Sequence, residues 1–228
     1  MLQFESNTRG GSGEALLPVV AQDHLTGEIR MLAWANRAAV EATLASGRAT
    51  FFSRSRSALW EKGATSGNGL TVVRMLVDCD EDALVYLVEA TGPTCHTGAP
   101  SCFFRTLADD GTARDDAVEP PTALARLDAV LEARRAATAE RSYTKSLYDG
   151  GPTKIGAKLR EEADELARAV EGETDDRVVS EAADLLFHLM VAVRSRGQSI
   201  VAVLQELDRR AGTGGHDEKK ARKPKPVV

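Results

Sequence analysis

Every cysteine of the chain lies in one stretch, "VDCDEDALVYLVEATGPTCHTGAPSC" from Val77 to Cys102: Cys79, Cys95 and Cys102. Three thiols cannot all pair as disulfides, and a structural zinc site wants four ligands. Three protein ligands with an open water position are the mark of catalytic zinc, and zinc brings bound water to a pKa of about 7. Cys95 and Cys102 flank "HTGAPS", a Gly/Pro loop short enough to bring both sulfurs to one ion. His96, next to Cys95, is placed to shuttle a proton. Asp78, Asp80 and Asp82 alternate with Cys79 and Glu81. An extended chain would turn the aspartates to one side and Cys79 to the other. Hard carboxylates then suit Mg²⁺ and soft thiolates Zn²⁺. Packing cysteines and a metal-free acidic turn fit the same residues, so spacing alone leaves both readings open.

Upstream, "FFSRSRSALWEKGATSGN" (Phe51 to Asn68) gathers Arg54, Arg56 and Lys62 with Ser53, Ser55, Thr65, Ser66 and Gly67. Cations beside hydroxyls and glycine amides are what a phosphate site needs. Trp60 can stack on a base or fill a core. A solvated Arg-Ser strand face is the competing interpretation. In the second half of the chain, Glu162 and Glu165 are three residues apart, as are Glu181 and Asp184. On helices each pair shares a face. Carboxylates converging on a helix seam repel unless a cation neutralises them, and an all-oxygen shell selects Mg²⁺ or Mn²⁺. Two solvated Glu-rich faces remain the alternative.

These residues need two different scaffolds. Both tryptophans, all three cysteines and five of the six phenylalanines lie before residue 110; beyond it Ala, Leu, Glu and Arg dominate. The first half predicts a mainly β (α+β) domain with strands in "LLPVVAQD", "IRMLAW", "ATFFSRS", "LTVVRMLV" and "ALVYLVEA", and one helix at Arg37–Ser46 closed by Gly47. The second half predicts an all-α bundle. Its helices run roughly Thr122–Glu140, Lys154–Glu171 (burying Ile155, Leu159, Leu166 and Val170) and Asp176–Arg196 (Val178, Ala182, Leu185, Leu189 and Val193). Ser199 is placed to cap a fourth, presenting Ile200, Val203, Leu204 and Leu207. The expected domains are 1–107 and 122–212, with an acidic linker 108–121 ending in Pro120-Pro121 and a disordered basic tail 213–228. A net charge of −5 weighs against nucleic acid as the main partner. No apolar run approaches the ~20 residues that span a bilayer. The N-terminus lacks a secretory pattern, so a cytoplasmic protein with reduced thiols is expected.

"EEADE" followed by "EAAD" resembles the EExxE…ExxD signature of the all-α, MazG-like nucleoside triphosphate pyrophosphohydrolases. The wider stretch from Ser142 to Arg210 is similar to phosphoribosyl-ATP pyrophosphatase. That resemblance implies Mg²⁺ on Glu162, Glu165, Glu181 and Asp184, with Glu161 a further candidate. Glu162 and Glu165 would act on water, and Lys145, Lys154 and Lys158 would meet phosphate oxygens. Arg160 departs from the small residue expected there. "FFSRSRSALWEKGATSGN", "VDCDEDA" and "GPTCHTGAPSCF" stand as they do in phosphoribosyl-AMP cyclohydrolase. "MLAWAN" (Met31 to Asn36) varies the family's usual "MLAYMN". This second resemblance, over Leu17 to Arg105, implies Zn²⁺ on Cys79, Cys95 and Cys102 and Mg²⁺ on Asp78, Asp80 and Asp82. It also implies a homodimer with Cys79 from one subunit meeting Cys95 and Cys102 of the other. The two halves would catalyse consecutive steps of histidine biosynthesis on phosphoribosyl-ATP and phosphoribosyl-AMP. A nucleotide-pool pyrophosphohydrolase with a zinc regulatory domain, and a zinc-dependent nucleic-acid module, are the competing readings.

Overall fold

Alternation decides the first strand. In β1 (Leu17–Asp23) every second residue, Leu17, Val19, Ala21 and Asp23, is buried, as the period of two requires of a strand with one face on a core. In β2 (Ile29–Ala35) Met31, Ala33 and Ala35 are buried likewise. Helix α1 (Arg37–Ser46) starts at Asn36, whose side chain accepts from Ala39 N. It stops at Gly47, which takes a left-handed φ of 68° and donates to Thr43 O at 2.8 Å. There follow the hairpin β3 (Thr50–Ser53) and β4 (Ala58–Glu61), then the pair β5 (Leu70–Val77) and β6 (Leu84–Ala90).

The main sheet has the order β2-β1-β6-β5. Its central pair β1/β6 is parallel and the outer pairs are antiparallel. A parallel pair needs a crossover, which α1, the β3–β4 hairpin and β5 supply. Phe51 of β3 is fully buried between Tyr86 of β6 and Trp60 of β4, with ring centroids 5.9 and 5.1 Å away. This ties the hairpin, and with it the Arg/Lys-rich stretch, to the sheet. Thr106–Leu107 (β7) pairs with Ala113–Arg114 (β8), so part of the stretch expected as linker is a small hairpin.

The computed structural model describes residues 2, 4, 15–115, 120, 122–136 and 142–211. It divides into two compact units, Met1–Thr122 and Ala123–Val228. The second is helical: α2 (Ala123–Ala136), α3 (Tyr143–Asp149), α4 (Gly151–Gly172), α5 (Asp175–Ser195) and α6 (Ile200–Arg210). The expected end of the first helix near Glu140, part of the linker and the basic tail lie outside the described residues. Leu131, Leu147, Ile155, Met190, Val191 and Ile200 form the core. Among the described residues, no helix is long and apolar enough to cross a membrane.

Three expectations are corrected. Helix α3 is a fifth beyond the four expected, a seven-residue turn of chain that anchors itself on the core through Leu147. Ser199 stands at the N-cap of α6, but its side chain makes no capping bond; Asp128 of α2 takes Ile200 N at 3.4 Å while it pairs with Arg194. The apolar stripes of α4 and α5 are also rotated. Val170 is 67% exposed and Leu189 38%, whereas Glu162, Glu181 and His188 are buried. Polar side chains that find partners can take the inner face, and apolar spacing alone does not register that.

Candidate functional sites

In the first unit the β3–β4 hairpin, the loop after it and the Cys95–Cys102 loop wall a cavity of about 800 Å³. Arg56, Trp60, Lys62, Thr65, Ser66, Cys95, His96 and Cys102 line it, as do Met31, Leu59, Asn68 and Thr94, which the sequence did not single out. Ser53, Arg54 and Gly67 do not line it. Arg54 instead lies over the Trp34 ring, 4.8 Å from its centroid. Ser53 Oγ accepts from Arg56 N and Nε, both at 3.3 Å, so it holds the arginine that reaches the cavity. Arg54 and Arg56 sit in the turn between the strands, with Ser57 at φ 49°.

The loop 63–69 is pinched at its base. Gly63 has φ 88°, and a Cβ there would stand 2.4 Å from Gly69 Cα. Only glycine permits that approach between two backbones. Gly67 N donates to Gly63 O at 2.8 Å, and Lys62 Nζ to Asn68 O at 2.9 Å. Backbone closure thus presents Thr65 and Ser66 to the cavity.

The cysteine loop is tied to β2. Cys102 N donates to Arg30 O at 2.8 Å, and Ser101 Oγ to Ile29 O at 2.7 Å. The Arg30 guanidinium reaches Pro100 O at 3.4 Å and is held by Asp23 and Glu28, each at 2.8 Å. Thr97 Oγ1 donates to Cys95 Sγ at 3.1 Å, and this bond is the main reason the Cys95 thiol is held below its usual range. Loss of hydration in the cavity wall, with Cys95 close by, pushes Cys102 up, while Lys62 pulls it down. His96 Nδ1 is 3.8 Å from Cys95 Sγ. A thiol favoured as thiolate beside a second thiol is a donor set that fits zinc.

Cys79 is not part of this wall. Among the described residues, the three thiols of one chain do not form a ligand cluster. Cys79 is exposed in the β5–β6 turn. That segment is not extended, as the alternation suggested. Asp78 Oδ1 accepts from Asp82 N at 2.9 Å and Ala83 N at 3.0 Å, and Glu81 is left-handed with φ 65°. The turn itself brings ligand oxygens of Asp78, Asp80 and Asp82 within 4.8 Å of one another. The backbone amides, Ala83 foremost, hold Asp78 below the usual carboxylate range. Lost hydration, Asp78 and Asp80 push Asp82 above it. Such crowding favours a cation.

In the second unit Glu162, Glu181 and Asp184 bring ligand oxygens within 4.8 Å of one another across α4 and α5. Glu162 is 6% exposed and Glu181 3%. Glu165 stands outside that trio. Burial raises the Glu181 pKa; Arg177 opposes the rise, and Glu165 and Asp184 add to it. Each buried acid has a cation one turn earlier on its own helix: Lys158 Nζ lies 3.0 Å from Glu162 Oε1, and Arg177 contacts Glu181. Lys158 also reaches Glu161 at 2.9 Å. Lys145 pairs with Asp149 at 2.6 Å, and Lys154 donates to Ser146 O at 3.2 Å, so neither touches the acids through these bonds. Arg160 is exposed.

His188, 4% exposed, is a site residue the sequence reading missed. Its Nδ1 lies 2.9 Å from Asp184 O and 3.6 Å from Glu162 Oε1, and its Nε2 lies 2.8 Å from the Tyr143 hydroxyl. The signal was present: His188 follows Asp184 by four and Glu181 by seven, on one helical stripe.

Comparison with known proteins agrees with both halves. The family model for phosphoribosyl-AMP cyclohydrolase matches residues 31–104, and that for phosphoribosyl-ATP pyrophosphohydrolase matches residues 124–211. Proteins named histidine biosynthesis bifunctional protein HisIE are similar along most of their length. That of Deinococcus radiodurans is 43% identical over 89% of this chain and 93% of its own. That of Parasynechococcus marenigrum is 42% identical over 86% and 90%, and that of Escherichia coli K12 39% over 86% and 92%. With both models matched in order and relatives this similar along nearly their whole length, the chain belongs to the bifunctional histidine-biosynthesis proteins, a phosphoribosyl-AMP cyclohydrolase followed by a phosphoribosyl-ATP pyrophosphohydrolase.

Proposed function

We propose that the helical unit cleaves phosphoribosyl-ATP at the acid cluster of α4 and α5, and that the sheet unit opens the adenine ring of the product in the thiol-lined cavity. What carries the assignment is the meeting of Arg56, Lys62, Thr65, Ser66, Trp60, His96, Cys95 and Cys102 around one cavity of about 800 Å³. In this reading Arg56, Lys62 and the 63–69 loop take substrate phosphate, with Ser53 and Gly67 supporting them from behind. Arg54 stiffens the turn through Trp34. The Trp60 ring faces the base. Cys95 and Cys102, with the partner subunit's Cys79, hold Zn²⁺, which supplies hydroxide at neutral pH. Thr97 favours the Cys95 thiolate, and Lys62 partly offsets the lost hydration that pushes Cys102 up. Water adds at C6 of the adenine and the C6–N1 bond breaks. His96, exposed at the wall, takes the proton of that water, and N1 gains one as it leaves. Support for the dimer comes from edge strand β5, where Leu76 and Val77 are exposed directly before the Cys79 turn. Asp78, Asp80 and Asp82 of that turn hold Mg²⁺.

The helical unit is of the MazG-like type in this reading. Glu162, Glu165, Glu181 and Asp184 hold Mg²⁺, which offsets the charge of the phosphate chain. Glu162 and Glu165 orient the water that attacks the phosphoanhydride, and pyrophosphate leaves. Lys158, with Lys145 and Lys154, meets phosphate oxygens. Three thiols with ligand roles suit the reducing cytoplasm.

The test is to supply phosphoribosyl-ATP to the purified protein and follow each product. Cys102→Ala should accumulate phosphoribosyl-AMP, and Glu165→Ala should leave the triphosphate intact. Ring opening that survives Cys102→Ala would remove the thiol site from the mechanism.

A further inference from the structure

The geometry points to Tyr143 and His188 as positioning residues that hold Glu162 in its metal-binding orientation. This inference rests on the reading of Glu162, Glu181 and Asp184 as a divalent-cation site.

Asp184 O, a backbone carbonyl, can only accept. The His188 nitrogen 2.9 Å from it, Nδ1, therefore carries the proton, and Nε2 presents its lone pair. The Tyr143 hydroxyl, 2.8 Å from Nε2, is the donor to it. One tautomer is thereby fixed from both ends. The same Nδ1–H lies 3.6 Å from Glu162 Oε1, too long for a full hydrogen bond. In a seam where histidine and glutamate are both almost completely buried, it still acts electrostatically. Glu162 Oε1 thus sits between the Lys158 ammonium on its own helix and an imidazole N–H from the facing one. Lys158 is held only by ion pairs to Glu161 and Glu162, which a phosphate and a cation would replace. His188 is held by packing and two hydrogen bonds, which neither would replace.

The ring is enclosed by aromatic neighbours. Phe187 and Tyr143 both meet it edge-on, with centroids 5.2 and 5.9 Å away. Tyr143 stacks on Phe187 at 6.3 Å and is itself 53% exposed. Tyr143 belongs to α3, Glu162 to α4 and His188 to α5, so the three residues link three helices at the acid cluster. A packing histidine would need neither the tyrosine hydroxyl nor the approach to Glu162. Partners of this kind, one bond removed from a ligand, typically govern metal affinity by about 10- to 100-fold.

The experiment measures Mn²⁺ binding by electron paramagnetic resonance without substrate, in full-length protein carrying Asp80→Asn to weaken the other acidic cluster. Glu181→Gln, His188→Leu, His188→Asn and Tyr143→Phe are compared there. Pyrophosphate release with Mg²⁺ and thermal unfolding are measured on the same proteins. Asparagine restores an N–H near Nδ1, and leucine restores only volume. Positioning predicts that His188→Leu weakens Mn²⁺ by about 10-fold and lowers kcat by a similar factor, with KM little changed. His188→Asn should recover most of the affinity, and Tyr143→Phe should fall between it and the unsubstituted residue. If Asn and Leu are equally impaired, or Mn²⁺ binding is unchanged in both, His188 is a packing residue and the inference is overturned. If Glu181→Gln also leaves Mn²⁺ binding unchanged, the cation site itself is wrong and both readings fall together.

Discussion

At the scale of residues, types and spacing carried most of the chemistry. Cys95, Cys102, His96, Lys62 and Arg56 stand out in the sequence because thiolates, imidazole and cations have few structural substitutes, and these five line one cavity. Arg54 and Arg56 are alike in sequence, and only the turn between β3 and β4 separates them. Arg56 faces the cavity, held by Ser53, while Arg54 is spent on Trp34. Arg56→Ala should therefore raise the cyclohydrolase KM by roughly 10-fold, the worth of one charge-assisted hydrogen bond. Arg54→Ala should raise it less, and steady-state kinetics with phosphoribosyl-AMP decides between them. Pyrophosphate release should be untouched in either variant. His188 was legible only through its spacing to Glu181 and Asp184, because hydrophobic spacing passes over a buried imidazole.

At the scale of elements, β-branched and aromatic runs and the Gly47 stop located β1, β2, α1, β5 and β6 closely, whereas turns failed where side chains rewrite the backbone. Asp78 accepting two amides made a turn of what alternation suggested was a strand. Gly63 makes the opposite case, a residue whose absent side chain is the requirement. Gly63→Ala must push the two backbones of the 63–69 loop apart, so cyclohydrolase activity should fall by more than about 10-fold, with a cost on the order of 1–3 kcal/mol for a strained position. Circular dichroism melting and the two separate assays will show whether the damage stays in the sheet unit. The β1–β2 turn gives a pH effect with a definite sign. Burial works to raise the Asp23 pKa, but bonds from Arg30 and Thr26 outweigh it and hold it below 3.8. Its stabilising share is complete above about pH 4. As pH falls through the depressed value, the carboxylate protonates and that share is lost. Urea unfolding from about pH 4 downward should show the unsubstituted sheet unit weakening faster than Asp23→Asn does. Because Arg30 also holds Pro100 O, thiol-reagent access to Cys95 and Cys102 should rise over the same range.

At the scale of the whole molecule, the change of composition near residue 110 told of two scaffolds, and the chain divides into two compact units. The rotation of α4 and α5 was out of reach of the sequence, since it depends on which faces a single chain covers; Val170 and Val179 stay exposed in the helical unit. Two units with separate chemistry should fail separately. A zinc-selective chelator should stop ring opening while pyrophosphate release continues, and phosphoribosyl-AMP should build up one-for-one with pyrophosphate.

The separation of Cys79 from the cavity that holds Cys95 and Cys102 has a genetic consequence. If each working centre borrows one thiol from a neighbour, two defective alleles can repair each other. Cys79→Ala chains and Cys102→Ala chains should then each be inert in ring opening. A mixed pair concentrates both lesions in one centre and leaves its twin whole. Random re-pairing of equal amounts should then restore about a quarter of the unsubstituted rate, because half the pairs are mixed and each has one sound centre of two. Co-expression in a histidine-requiring host would read this out as growth that neither allele supports alone.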